Sequence, residues 1–536
     1  MSDFNNALVD SNPGANRRSR RLDIIPRNDQ SRAYEAARLT QSIGSDYFRQ
    51  IGDDILDDTN LEHGTSVSMS NNGKVVAVSG LVLVIAGEGN EKYLYSVSVY
   101  REVDGSWNQV GQTLLEDNST GTEYLPDGRA DISLNGDGSK IAIATVKAYS
   151  SDRIDVIQIG LVKTYSHTSS NIQENWSVGP GVDLGDAGGG GTQIGLKVSL
   201  DSSGSRLAVG VRYYDDADSS KVDSGQVIIY TLGADSVNII AEIKGNVDED
   251  YVGSSVMISG DGLCVVFGST GVDTSSVANS GSASVYCSDN PSSEWNLRDI
   301  LYGEDAGDEF GFSVATNGDA SFIAVGARFN DPSSALNNAG HVRVFKSNPD
   351  QSPVTYSQLG ADIDGVRGDK STGGVYYAGD ESGYSIALSD VNDELGGILR
   401  VAIGSPNNDG QGGYYNGHVR LFQCNPNDTQ PAWVQIHDDI NGETANESSG
   451  RSISMSKDGR RIIVGSPYFF QNNNSFKGVA KVFEQTEYSA YPSFLPSEEV
   501  CSQLQRKVTM IFPFCIVLSA DNCSYHVCPI AVSVAK

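Results

Sequence analysis

Basic residues are the scarce component of this chain: 38 Lys and Arg stand against 68 Asp and Glu, a formal net charge of −30 over 536 residues. Binding nucleic acid requires a cationic face that neutralises phosphates, so no nucleic-acid partner is expected. Long apolar runs are missing too. The stretch 508–520 is too short to cross a bilayer and contains Pro513, so no membrane span is expected. The first 45 residues hold no apolar segment of signal-peptide type. The seven cysteines show no CxxC spacing, which argues against zinc. HExxH, a nucleophile elbow and a phosphate loop are absent as well.

Glycine is abundant, with 59 residues, and it marks a repeat. Seven copies of one pattern open at Gly64, Gly128, Gly195, Gly253, Gly311, Gly383 and Gly450. Each reads glycine, a short β-rich run, a turn, an apolar run and usually a second glycine, as in GFSVATNGDASFIAVG from Gly311. A period of this length means one supersecondary unit copied and stacked, because a lone copy cannot bury its apolar face. Copy 5 gives the plan. A strand from Gly311, the turn Asn317-Gly318-Asp319, an apolar strand 322–325, an alternating strand 340–345 and a fourth strand near 356–359 make one antiparallel unit.

Four strands repeated seven times predict an all-β fold, a seven-bladed β-propeller of four-stranded antiparallel blades. After Phe483 the last copy lacks its fourth strand, and Phe48-Arg49-Gln50-Ile51 near the other end supplies the missing segment. The expectation is a ring spanning 46–485, closed by an N-terminal strand completing the last blade. Residues 1–45 read as a disordered polar tail with a short helix near 32–39, and 486–536 as a Cys-containing C-terminal tail.

Blades such as GFSVATNGDASFIAVGARFND…GHVRVF and GYSIALSD…LRVAIGSPNNDG…NGHVRLF resemble the FG-GAP repeats of integrin-α-type propellers and of microbial and algal FG-GAP-like proteins. The resemblance implies extracellular adhesion or recognition without chemistry, and calcium in the loop between first and second strands. Six of the seven loops are too short for that. Asp390, Asn392, Asp393 and Glu394 form the one loop with oxygens at spacings suited to a hard cation, the expected Ca2+ position, against a plain solvated turn.

Aspartates recur five residues after the second-strand glycine, at Asp215, Asp273, Asp331 and Asp409. They are either a rim of acidic ligand groups or loop-closing side chains that accept backbone N–H groups. With Tyr213, Tyr214, Phe329, Tyr414 and Tyr415 they mark candidate binding loops for a protein or glycan partner. Asp250, Asp308, Asp380 and Glu447 recur at the crossings between copies, and Arg367-Gly368-Asp369 reads as a chance tripeptide. Cys264 and Cys287 end neighbouring antiparallel strands, so they are a disulfide or two buried thiols.

The leading expectation is a non-enzymatic binding or adhesion propeller, extracellular or at the cell surface. The rivals are an enzyme with its site in the central channel and a structural scaffold. The enzyme would need carboxylates, His or Lys on first strands, which offer mostly Ser, Val, Ile and Met.

Overall fold

The computed structural model describes residues 47–57, 60–86, 90–117, 130–150, 156–184, 196–216, 221–274, 277–333, 336–372, 375–410, 413–471 and 475–486, and short backbone strands beyond 508. Contacts divide the chain into Met1–Ser45 and Asp46–Lys536, and every described residue lies in the second unit. The expected tail helix near 32–39 lies outside the described residues.

Seven antiparallel sheets follow the predicted order. Blade 5, for example, runs Phe310–Thr316, Phe322–Ala327, His341–Asn348 and Thr355–Gln358, each strand paired with the next. In blades 3–7 the second strand is largely apolar and almost wholly buried, as in Arg206–Val211, because neighbouring blades cover both of its faces. Blades 1 and 2 depart from the plan. Their second and third strands extend into long hairpins, Val75–Ala86 with Asn90–Val103 and Lys140–Ser150 with Val156–Ser166.

Blade 7 consists of Ser452–Met455, Arg461–Ser466 and Val479–Thr486, and Tyr47–Gln50 adds its fourth strand. Tyr47 pairs with Thr486 and Gln50 with Phe483, and Ile55 continues the pairing to Ala480. The ring is closed as the sequence predicts.

The glycine pairs that meet at five of the seven joints have a common physical cause. A Cβ on Gly268 would lie 1.7 Å from the carbonyl oxygen of Gly311. The same clash, at 2.1–2.4 Å, sets Gly210 against Gly253, Gly326 against Gly383, Gly404 against Gly450 and Gly465 against Gly64. The second glycine of one blade therefore touches the first glycine of the next, and only a missing side chain allows that approach. The contact also crosses the closing seam. At the opposite end of the first strands, tight turns bond to one another around the axis: Asn71 to Gly136, Gly136 to Ser202, and Ser202 to Gly260 at 2.8–3.0 Å. Lys457 returns to Asn71 at 2.9 Å.

Residues Thr509–Ile511, Phe514–Ser519 and Ser524–Pro529 form a separate three-stranded sheet, where a tail without repeats was expected.

Candidate functional site at the channel mouth

The predicted loop aspartates all do the same structural task. Asp215 accepts the N–H of Asp223, Asp273 that of Asn279, Asp331 that of Asn338 and Asp409 that of Tyr415, at 2.6–3.0 Å. Each recipient has a left-handed backbone, φ 50–53°, two residues before the glycine that starts or precedes the third strand. The carboxylate thus holds a strained loop end in place.

The crossing acids behave alike. Asp250, Asp380 and Glu447 each accept two backbone N–H groups at 2.7–3.0 Å, and Asp308 takes the Asn330 amide at 2.8 Å. Arg367 of the RGD tripeptide is tied to Asp380 and Asp409, and Asp369 accepts from Gly379 and Asn338.

The Asp390 loop is similarly engaged. Asp390 accepts from Gly318 N–H at 2.7 Å and pairs with Lys457 at 2.9 Å. Asn392 caps the short helical turn Asp393–Leu395, and Glu394 reaches Arg460. Their oxygens point at separate partners and form no common cage, so calcium binding finds no support in this loop. Among the described residues, the acid and imidazole atoms close enough to share an ion are those of Glu304, His341 and Asp362. There the guanidinium of Arg343, 3.0 Å from Glu304, already supplies the positive charge.

Cys264 and Cys287 face each other in register and form a disulfide. Tyr213, Tyr214, Phe329, Tyr414 and Tyr415 spread over three blades, and Tyr414 is the exposed one. His418, whose Nδ1 lies 3.4 Å from Asp439, stands opposite Ser405. Despite these residue types no nucleophile results, since Ser405 and His418 are both sealed from solvent.

The informative residues lie two positions after the first glycine, three in blade 2. Ser66, Asp131, Lys197, Ser255, Ser313, Ser385 and Ser452 share one register position, each opposite the second-strand glycine or its replacement. In blades 4–7 the serine hydroxyl donates to the first-glycine carbonyl of the next blade, at 2.6–2.8 Å. Blades 2 and 3 replace that stitch with Asp131 and Lys197. The two are 3.6 Å apart, and the Lys197 side chain remains 49% exposed on an innermost strand. Asp131 is held by the Ser66 hydroxyl at 3.3 Å and the Val198 N–H at 2.9 Å.

Across the ring, Phe312, Tyr384 and Arg451 follow the first glycine in blades 5, 6 and 7. A tight turn presents each one, with Phe312, Tyr384 and Arg451 N–H groups bonded three residues back at 3.0–3.1 Å. Phe312 and Tyr384 rings lie 5.0 Å apart, and the Arg328 guanidinium sits 3.9 Å from Phe312. Arg328 pairs with Glu309 at 2.7 Å and lies 3.9 Å from Glu381, whose carboxyl burial pushes above its ordinary range. The mouth therefore carries an ammonium–carboxylate pair on one side and an arginine–aromatic arc on the other.

Sequence reasoning missed this pair because it weighed recurring residues, and these two break the recurrence. The signal was present as the non-serine members of a serine column.

No family model matches the chain, and no curated protein matches it. Solved structures do. A periplasmic gluconolactonase from Pseudomonas aeruginosa is 13% identical, over 72% of this chain and 86% of its own, with a TM-score of 0.42. A 6-phosphogluconolactonase candidate from Bacteroides uniformis is 13% identical over 58% and 88%, TM-score 0.34. A counterpart from Bacteroides fragilis is 11% identical over 57% and 85%, TM-score 0.35. These likenesses are at the level of the fold.

One expectation is corrected by the loops themselves: the acidic residues meant to carry adhesion spend their carboxylates on closing their own loops. The non-enzymatic adhesion reading is therefore withdrawn. Among the described residues, no helix is long and apolar enough to cross a membrane.

Proposed function

We propose that this protein is a hydrolase of small polar esters or lactones, with its site at the axial mouth around Lys197 and Asp131. The observation that carries the reading is the exchange of two stitching serines for an ion pair whose lysine is half exposed on a first strand. Lys197 would donate to the oxyanion that forms as water adds to the substrate carbonyl. Asp131 would take the proton of that water and return it to the leaving alkoxide as the C–O bond breaks. The blade signature shared with FG-GAP-like repeats serves in this reading as packing grammar and carries no role in the reaction. The Cys264–Cys287 disulfide supports an oxidising, extracytoplasmic compartment, since such bonds persist there.

The test is hydrolysis of a panel of sugar lactones and simple esters by the full chain, followed by pH-stat against the spontaneous rate. Lys197→Met and Asp131→Asn should each lower kcat about 100-fold. Ser255→Ala, which removes an ordinary stitch, should leave kcat unchanged. Absence of turnover by the unaltered protein across the panel rejects the assignment.

A further inference from the structure

Arg451 has an arrangement that packing alone does not require. Its guanidinium lies 5.1 Å from the Tyr384 ring and 5.8 Å from the Tyr468 ring, at the start of the innermost strand of blade 7. Among the described residues its side chain makes no hydrogen bond or close ion pair, the Glu381 carboxylate acting on it only through longer-range attraction, whereas Arg328, two blades away, is paired directly with Glu309. Stacking on rings fixes the plane of a guanidinium while leaving its in-plane N–H groups unspent. Those groups form a rigid fork that fits the two oxygens of a carboxylate or phosphate.

The position matters as much as the chemistry. Arg451 precedes Ser452 in blade 7, and Ser452 shares its register position with Lys197 of blade 3. Three blades apart in a ring of seven is the widest separation available, so Arg451 and Lys197 stand across the channel from each other. The Ser448–Arg451 turn, with Ser448 left-handed at φ 54° and Gly450 at φ 82°, lifts the arginine to the mouth. Both residues are cations in a chain with a net charge of −30. Each has an acidic neighbour, Asp131 for Lys197 and Glu381 for Arg451, so a ligand would meet them as balanced pairs in an otherwise acidic chain.

We infer that Arg451 is the specificity-determining residue that binds an oxyanion group of the ligand, a carboxylate or a phosphate monoester. The ligand would bridge from this fork to Lys197. The inference rests on the axial mouth being the site, and deepens that reading by requiring the substrate to be anionic.

The experiment is calorimetric titration of the full chain with two probes, gluconate and inorganic phosphate. The variants are Arg451→Met, Arg451→Lys, Lys197→Met and, as a charge control at the far end of the ring, Lys74→Met. Saturable binding of either probe, weakened about 10- to 100-fold in both Arg451 variants and unchanged in Lys74→Met, is the expected result. The tighter probe identifies the oxyanion. Should Arg451→Met fail to fold, Arg451→Lys carries the same test, since it keeps charge and loses the fork. Equal binding by unaltered protein and Arg451→Lys, or no saturable binding of either probe, overturns the inference. Failure of the hydrolase reading looks different: probe binding would depend on Arg451 while no lactone or ester is turned over.

Discussion

Asp131 and Lys197 meet 3.6 Å apart across the seam between blades 2 and 3, opposite Ala144 and Gly210 in their own sheets. In the four blades that follow, the same position holds a serine whose hydroxyl is spent on the next blade's backbone. The irregularity is local. Blades 1 and 2 also replace the second-strand glycine, with Ser79 and Ala144, and carry the long hairpins. One sector of the ring has thus given up the uniform joint, and the charged pair sits within it.

The glycine joints make a sharp stability prediction. Gly268→Ala should cost about 3 kcal/mol, because its Cβ would collide with the Gly311 carbonyl and backbone must move. Ala144→Gly, at the matching place in the irregular sector, should cost about 1 kcal/mol. Urea denaturation of both variants checks the contrast, and a Gly268→Ala protein as stable as the original contradicts the joint.

Closure predicts the effect of shortening the chain. Removing residues through Gln50 takes away the strand that covers Val479–Thr486. The exposed edge should then pair with other molecules, giving oligomers on size-exclusion chromatography with light scattering. A monomer of unaltered stability would show that the strand is dispensable.

The disulfide joins residues directly opposite in register with a sequence separation of 23. Replacing both cysteines by serine should cost about 3 kcal/mol through the freed chain entropy of the unfolded state. Thermal unfolding with and without reductant, alongside intact mass after alkylation, measures it. Insensitivity of the unaltered protein to reductant contradicts the bond.

Acid sensitivity follows from His341. Burial, aided by the neighbouring Arg343 charge and opposed by Asp362, pushes its pKa down to about 4. The unfolded chain, near 6.5, binds more protons between those values, so stability rises with pH across that window. Its contribution is complete above pH 6.5 and lost as pH falls towards 4, on the order of 3 kcal/mol. His63, also buried and lowered to about 4, acts in the same direction. His341→Gln should therefore flatten the fall in denaturation midpoint between pH 7 and 5, and an unchanged slope rules His341 out as its source.

The blade count, the strand order and the Tyr47–Gln50 closure were legible because each is written repeatedly or by its absence from the last copy. Repetition also made Asp215, Asp273, Asp331 and Asp409 readable as loop closers. Asp131 and Lys197 were not legible. Their pairing depends on the curvature that brings blades 2 and 3 together at the axis, which linear spacing does not encode. Phe312, Tyr384 and Arg451 were hidden for the same reason, since each looks like an ordinary strand-entry residue until the ring sets them side by side. The Asp390 loop misled because alternating oxygens describe a ligand set only if they converge, and a helical turn sends these apart.

The joint between Gly465 and Gly64 is the same contact as the four between consecutive blades. Tyr47 and Thr486, the first and last residues of the ring, face each other in one sheet. Fused by a short linker and cut open between blades 4 and 5 instead, the polypeptide would rebuild the same circle as a circular permutant. Which blade is translated first is then a historical choice of scission point, with no bearing on where the ring holds together.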